Sequence, residues 1–185
     1  MKSEFSIIQG ILITSLACFC SCKEREIYPV IPSIEYKSHY FIRDPNSGGF
    51  GNDTLIGLVF KYRDGDGDIG LSESDTLPPY DPQPDNFNEP TNPNYYNIQV
   101  DYLEFKDGKF SPFIIPNTTD TFKIRARIGS LTPDGKFKAI RGEIDYRFLP
   151  PLYIERKDTI KLRVKVLDRA LNASNVVESP VIVLP

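Results

Sequence analysis

Apolar and polar residues alternate with a period of two through much of this chain. In "TFKIRARIG", Phe122, Ile124, Ala126 and Ile128 fall on one side and Lys123, Arg125 and Arg127 on the other. "TIKLRVKVLD" sets Ile160, Leu162, Val164 and Val166 against Lys161, Arg163 and Lys165. "DTLIGLVFKY" alternates through Ile56, Leu58, Phe60 and Tyr62, and "YYNIQVDYLEF" through Tyr96, Ile98, Val100 and Tyr102. Successive side chains of a strand point to opposite faces, so each run predicts a strand with one buried face. Weaker alternation at 34–42, 137–148 and 176–184 brings the expectation to about seven strands. No stretch combines a helical period with the caps that start and stop a helix.

Turn-forming clusters, "DPNSGG", "KDGK", "TPDG" and "LPP", separate the runs. Gly, Pro, Asn and Asp punctuate a chain because each favours a turn conformation. Short strands joined by turns, with no strand–helix–strand alternation, predict an all-β fold. The expected architecture is an immunoglobulin-like antiparallel β-sandwich of about seven strands over residues 34–185, with a small barrel as the second choice. Residues 72–94, "SESDTLPPYDPQPDNFNEPTNPN", form a long loop rich in Pro, Asn and Asp. Structureless loops of that length inside a compact domain are uncommon, so this one is expected to be functional or disordered.

The loop follows "KYRDGDGDIGL", in which Asp64, Asp66 and Asp68 alternate with Gly65 and Gly67 at the end of a predicted strand. Crowded carboxylates repel, and a hard cation such as Ca²⁺ relieves the repulsion while accepting about six to eight oxygen ligands. Interleaved glycines let the backbone curl so that alternate side chains converge. The spacing matches the first half of a calcium loop, D-x-D-x-D. It departs from an EF-hand at its sixth position, Ile69, with Gly70 one later, and at its twelfth, Asp75 in place of glutamate. The bland alternative is a tight Asp/Gly turn.

A second segment, "VKVLDRALNASNVV", places Asp168 at a strand end and Asn172, Ser174 and Asn175 in the loop that follows. In an immunoglobulin-like sandwich the loop after the second strand and the loop before the last strand lie at the same end. Asp168, or the side-chain oxygen of Asn172, is therefore expected to complete the shell around Asp64, Asp66 and Asp68. The alternative is a plain hairpin turn. Together, "DGDGDIG" and "DRALNASN" resemble stretches of uncharacterised Bacteroidetes-type surface lipoproteins, over most of residues 34–184. The resemblance implies a surface lipoprotein and brings no activity with it.

The N-terminus bears on the same point. "MKSEFSIIQGILITSLACFCSC" has a basic start, an apolar run from Phe5 to Phe19 and a small-residue exit, which is the layout of a secretion signal over residues 1–21. An apolar run this short and interrupted falls below the roughly 20 residues of a membrane span. All three cysteines, Cys18, Cys20 and Cys22, lie here, which leaves none for a disulfide in the body of the chain. The segment resembles bacterial lipoprotein signals in the relaxed form used by Bacteroidetes-type lipoproteins. That resemblance implies lipidation of Cys22, with Cys18 as second choice, by a diacylglycerol and acyl anchor. Residues 22–33 then form a tether. "CKERE" is similar to the group's export signal for the outer cell surface, although Arg25 interrupts the acids. The expected location is the outer membrane, lipid-anchored and surface-exposed, with its periplasmic face as the alternative.

Composition narrows the function further. The net charge of −3 carries no basic excess for a nucleic-acid surface. Lys2 and Glu4 cancel, so loss of the signal leaves that charge unchanged. The single histidine, His39, excludes a His-pair metal site and no nucleophile-elbow motif is present, so no catalytic residues are assigned. The outward rows Lys123/Arg125/Arg127 and Lys161/Arg163/Lys165 make a stripe for an acidic glycan or lipid headgroup only if their strands share a sheet. Otherwise they are solvated faces that discourage edge pairing. Tyr80, Phe87, Tyr95 and Tyr96, in or beside the long loop, are candidate ligand contacts, or else pins that hold the loop to its own sandwich. The expectation is a non-enzymatic binding or adhesion module, or a subunit of a surface complex, with a glycan or protein ligand and a calcium-stabilised loop. The alternatives are a purely structural lipoprotein and a metal-dependent hydrolase.

Overall fold

The computed structural model describes residues 27–43, 54–82, 92–133, 138–151 and 157–185. Its strands are β1 (Ser33–Arg43), β2 (Thr54–Asp64), β3 (Ile98–Lys106), β4 (Lys109–Pro112), β5 (Lys123–Ala126), β6 (Ile140–Phe148), β7 (Thr159–Val166), β8 (Val177–Glu178) and β9 (Ile182–Val183). The only helical element among the described residues is a single 3-10 turn, Pro93–Tyr95. All pairings between strands are antiparallel. One sheet has the order β1-β2-β6. The other runs β4-β3-β7-β8, with β5 also on β3 and β9 also on β7. These are the A-B-E and C-F-G orders of an immunoglobulin-like sandwich.

The predicted inward faces form the core. Ile56, Leu58 and Phe60 of β2 face Ile98, Val100 and Tyr102 of β3 and Ile160, Leu162, Val164 and Val166 of β7, all of them buried. Fully burying side chains of this size stabilises by about 1.5–3 kcal/mol each, which makes the two sheets one cooperative unit. Phe113 and Phe122 meet the Tyr102 ring edge-on at 6.0 and 6.3 Å and close one end of the core.

Three details depart from a simple reading of the alternation. The register of β1 against β2 shifts between Tyr36 and Ser38, so the extra residue Lys37 bulges out. The bulge puts His39 and Phe41 opposite Leu58 and Ile56, continuing the inward face of Tyr36. The strand β4 was not marked by its own alternation. Asp107 and Gly108, both at positive φ, make the two-residue turn that folds it back on β3. The last predicted strand is split into β8 and β9 around Pro180, which has no N–H for the ladder. Side chains complete the pairing there. Ser179 Oγ accepts from Leu162 N at 3.0 Å, and Ser174 Oγ accepts from Val166 N at 3.1 Å.

Two asparagines join segments that the ladders leave apart. Asn175 accepts from Ile34 N and donates to Ile34 O, both at 2.9 Å, tying β1 of one sheet to the loop before β8 of the other. Asn97, 2% exposed, donates to Ile128 O at 2.8 Å and accepts from Ile128 N at 2.6 Å, while its backbone bonds Ala126 and Leu167. Replacing Asn97 with alanine leaves the Ile128 N–H without its acceptor, while the Ile128 carbonyl keeps its bond from Leu71 N. We expect Asn97→Ala to cost about 1–3 kcal/mol, read as a lower urea midpoint at unchanged m-value.

Candidate metal centre

The end of β2 carries the acidic loop. Asp64 is the last residue of the strand and fully buried. Its Oδ2 accepts from Ile69 N at 3.2 Å, so the carboxylate closes the loop that it begins. Gly67 sits at φ +75°, and a Cβ there would run into the Lys138 carbonyl. The Gly67 carbonyl accepts from Thr132 Oγ1 at 2.6 Å. Gly70, at φ +106°, passes the Gly129 carbonyl too closely for any side chain. These two glycines let the loop turn against residues 129–132 and Lys138 while Asp64, Asp66 and Asp68 stay on its inner side.

One carboxylate oxygen from each of Asp64, Asp66 and Asp68 lies within 4.8 Å of the others. The Oδ1 atoms of all three are buried and receive no hydrogen bond from the described residues. An unsatisfied buried oxygen carries the desolvation cost of the group, and a charged one carries more. Burial, with the neighbouring Asp66 charge second, pushes the Asp64 carboxyl up to about 7. Burial, followed by the charges of Asp168 and Asp66, pushes Asp68 up to about 6. The geometry is that of a small oxygen-lined site able to hold a hard cation.

The second predicted segment lies against this loop. Ile69 and Asp168 form an isolated antiparallel bridge. Arg169 N donates to Asp68 O at 3.2 Å, and Ala170 N donates to Asp68 Oδ2 at 3.1 Å. Asp168, 1% exposed, faces its own turn: Oδ1 accepts from Asn172 N at 2.7 Å and Oδ2 from Asn172 Nδ2 at 2.9 Å. Asn172 therefore meets Asp168 as a donor, and Asp168 stands beside the three converging carboxylates with both oxygens hydrogen-bonded. Burial raises its carboxyl, and the Asn172 hydrogen bonds oppose the rise.

Arg169, which sequence patterning did not single out, links the turn to the long loop. Its guanidinium grips Asp75 in a bidentate pair, 2.6 Å to Oδ2 and 2.7 Å to Oδ1. Burial alone would raise the Asp75 carboxyl, but the Arg169 and Ser72 hydrogen bonds hold it below its ordinary value. Asp75, the twelfth position counted from Asp64, thus serves as a loop anchor. Arg127 adds hydrogen bonds to the carbonyls of Ser72 and Asp75, each at 3.0 Å. No periodicity could reveal these contacts, since each joins residues distant in sequence.

The aromatic candidates divide. Tyr80 donates its hydroxyl to the Arg169 carbonyl and pins the loop. The Tyr95 ring lies 4.6 Å from the Arg127 guanidinium and meets Tyr96 edge-on at 5.0 Å. Tyr96 borders an open groove with Lys123 and Arg125. Phe87 lies outside the described residues, as do Cys18 and Cys22. No helix among the described residues is long and apolar enough to cross a membrane.

In comparisons with family models, curated proteins and solved structures, nothing matches this chain. What is defined is a class by fold and site: an all-β two-sheet sandwich with an aspartate triad at one end that could hold a metal.

Two measurements follow from this geometry. A carboxyl with a raised folded-state pKa is protonated more readily in the folded chain, so its contribution to stability is present at acid pH. That contribution is lost as pH rises from the unfolded value near about 4 through the folded values of about 6 and 7. In chelator-containing buffer the melting temperature is expected to fall between pH 5 and pH 7.5; no fall would mean the triad is not crowded. The variant Arg169→Gln loses the bidentate grip on Asp75. Its amide hydrogens at 72–82 should exchange severalfold faster while β3 and β7 stay protected. Uniform exchange in both regions would show that the pair does not hold the loop.

Proposed function

We propose that this chain is a lipid-anchored outer-membrane protein, displayed at the cell surface, whose sandwich acts as a non-enzymatic binding or adhesion module or complex subunit. A calcium ion at Asp64, Asp66 and Asp68 stiffens the end that carries the long loop. Two observations carry the metal assignment: one carboxylate oxygen of each aspartate lies within 4.8 Å of the others, and each aspartate has a buried Oδ1 with no hydrogen bond from the described residues. Calcium is favoured over magnesium because it accepts irregular carboxylate-rich shells, whereas magnesium demands near-octahedral geometry and keeps its water. Water would fill the positions beyond the three carboxylates, and Asp168 and Asn172 would frame the site from outside. The anchor at Cys22 and the tether to residue 33 rest on the sequence of the N-terminus.

The arrangement supports a mechanical role for the ion. Neutralising the triad removes the repulsion that opposes Asp68 being held by Ala170 N, and the adjoining Arg169 holds Asp75. The ion would thereby stabilise the acidic loop, the turn after β7 and the start of the long loop together.

At neutral pH, calcium in large excess over its dissociation constant should raise the melting temperature by roughly 10 °C, and EGTA should reverse the rise. Asp66→Asn should be more stable than the wild type without calcium, because a repelling charge is gone, and should show little calcium-dependent shift. A full shift in Asp66→Asn would place the ion elsewhere, and an equal shift with magnesium would remove the assignment to calcium.

A further inference from the structure

β5 and β7 both pair with β3, so the two outward basic rows lie on one face of one sheet. Their charges are not equivalent. Lys161 and Arg163 both pair with Glu178, at 2.7 and 2.8 Å, and Arg127 is spent on the Ser72 and Asp75 carbonyls. Lys123 and Arg125 are exposed and make no ion pair or hydrogen bond within the described residues. In register, Asp101 stands between Lys123 and Arg163 and accepts from Gln99 Nε2 at 2.8 Å, which tempers the charge at that level. Arg125 faces neutral Gln99, and Lys165 lies on the far side of Gln99. Arg125 and Lys165 therefore stand two strand spacings apart, about 10 Å, with no acid between them.

Beside this row lies an open groove of about 440 Å³ lined by Tyr96, Ile115, Thr121, Phe122, Lys123 and Arg125. One wall is aromatic and aliphatic, and the other carries Lys123, beside Asp101, and Arg125, which faces neutral Gln99. Few ligand classes suit both. A neutral sugar leaves the cations unused, while a phosphate leaves the apolar wall unused. A carboxylated sugar presents an apolar ring face and a carboxylate on the same unit, and a chain of them repeats the charge along its length.

We propose that this groove binds an acidic glycan of the uronic-acid type. A ring packs on Tyr96, one carboxylate is taken by Arg125 and Lys123, and a further one reaches toward Lys165. Arg–carboxylate recognition is short and directional, which favours Arg125 as the specific contact. The proposal names a ligand for the binding role given above and rests on that reading, but it does not require the metal.

The test is titration of the full mature chain with de-esterified oligogalacturonate, its methyl ester and a neutral gluco-oligosaccharide of equal length. Binding is expected for the acid form alone and should weaken as salt rises. The double variant K123E/R125E and the single variant Tyr96→Ala should each weaken it at least tenfold at unchanged melting temperature. Absence of binding to oligogalacturonate, alginate and glucuronate-containing oligomers at low salt would overturn the proposal. So would equal binding of a polyglutamate peptide, which would show attraction by charge alone, or binding that survives both variants. Because the calcium-dependent melting shift is measured separately, loss of glycan binding with that shift intact counts against this inference and not against the metal centre.

Discussion

Ile69 and Asp168 meet in a bridge two residues long, and through it the ends of β2 and β7, which belong to opposite sheets, are held side by side. Ile69 is fully buried at this junction, and its carbonyl accepts from Leu131 N at 3.2 Å. Leu71 N bonds the Ile128 carbonyl, and Ile128 is in turn gripped by Asn97. Residues from the acidic loop, from the end of β3's entry segment, from the chain after β5 and from the turn after β7 thus share one hydrogen-bonded knot. Each of these bonds satisfies a backbone group that the ladders cannot reach, which is why the knot tolerates so few alternative arrangements.

The same knot concentrates negative charge. Asp64 and Asp168 are both essentially removed from solvent, with Asp66 and Asp68 between them. Backbone donors meet some of the oxygens: Ile69 N for Asp64, Ala170 N for Asp68 and Asn172 N for Asp168. The Oδ1 atoms of the triad are buried and receive no hydrogen bond from the described residues. A fold that places these groups so close must hold protons or a cation there, and both choices depend on solution conditions. By contrast, Asp75 is fully answered by Arg169 and belongs to the mechanics of the loop.

Much of the sandwich was legible in the alternation because burial of one strand face imposes a period of two directly on the sequence. The cores of β2, β3 and β7 lie where Ile56 to Phe60, Ile98 to Tyr102 and Ile160 to Val166 placed them. The bulge at Lys37 was not legible, since one extra residue shifts the phase without changing composition. Nor was β4, whose four residues are too few to show a period and whose pairing depends on the Asp107–Gly108 turn. Asp64, Asp66 and Asp68 stood out because like charges at alternate positions need a compensating partner. Arg169, Arg127 and Asn97 did not, because an arginine or asparagine at a loop edge carries no local sign of what it will reach.

The sequence by itself determined that this is an all-β protein with a triplet of aspartates at a strand end and a proline-rich loop beyond it. Those properties are encoded in neighbouring residues and need no knowledge of distant contacts. Strand order led to the expectation that the triplet meets the turn at 168–172; tertiary structure alone decided that Ala170 N reaches Asp68 and that Arg169 grips Asp75. It also decided that the two basic rows share a sheet face with Tyr96 at its border. The physical reason is the same in each case: such contacts join segments tens of residues apart, so only the packing of the two sheets sets which side chains come within hydrogen-bonding reach.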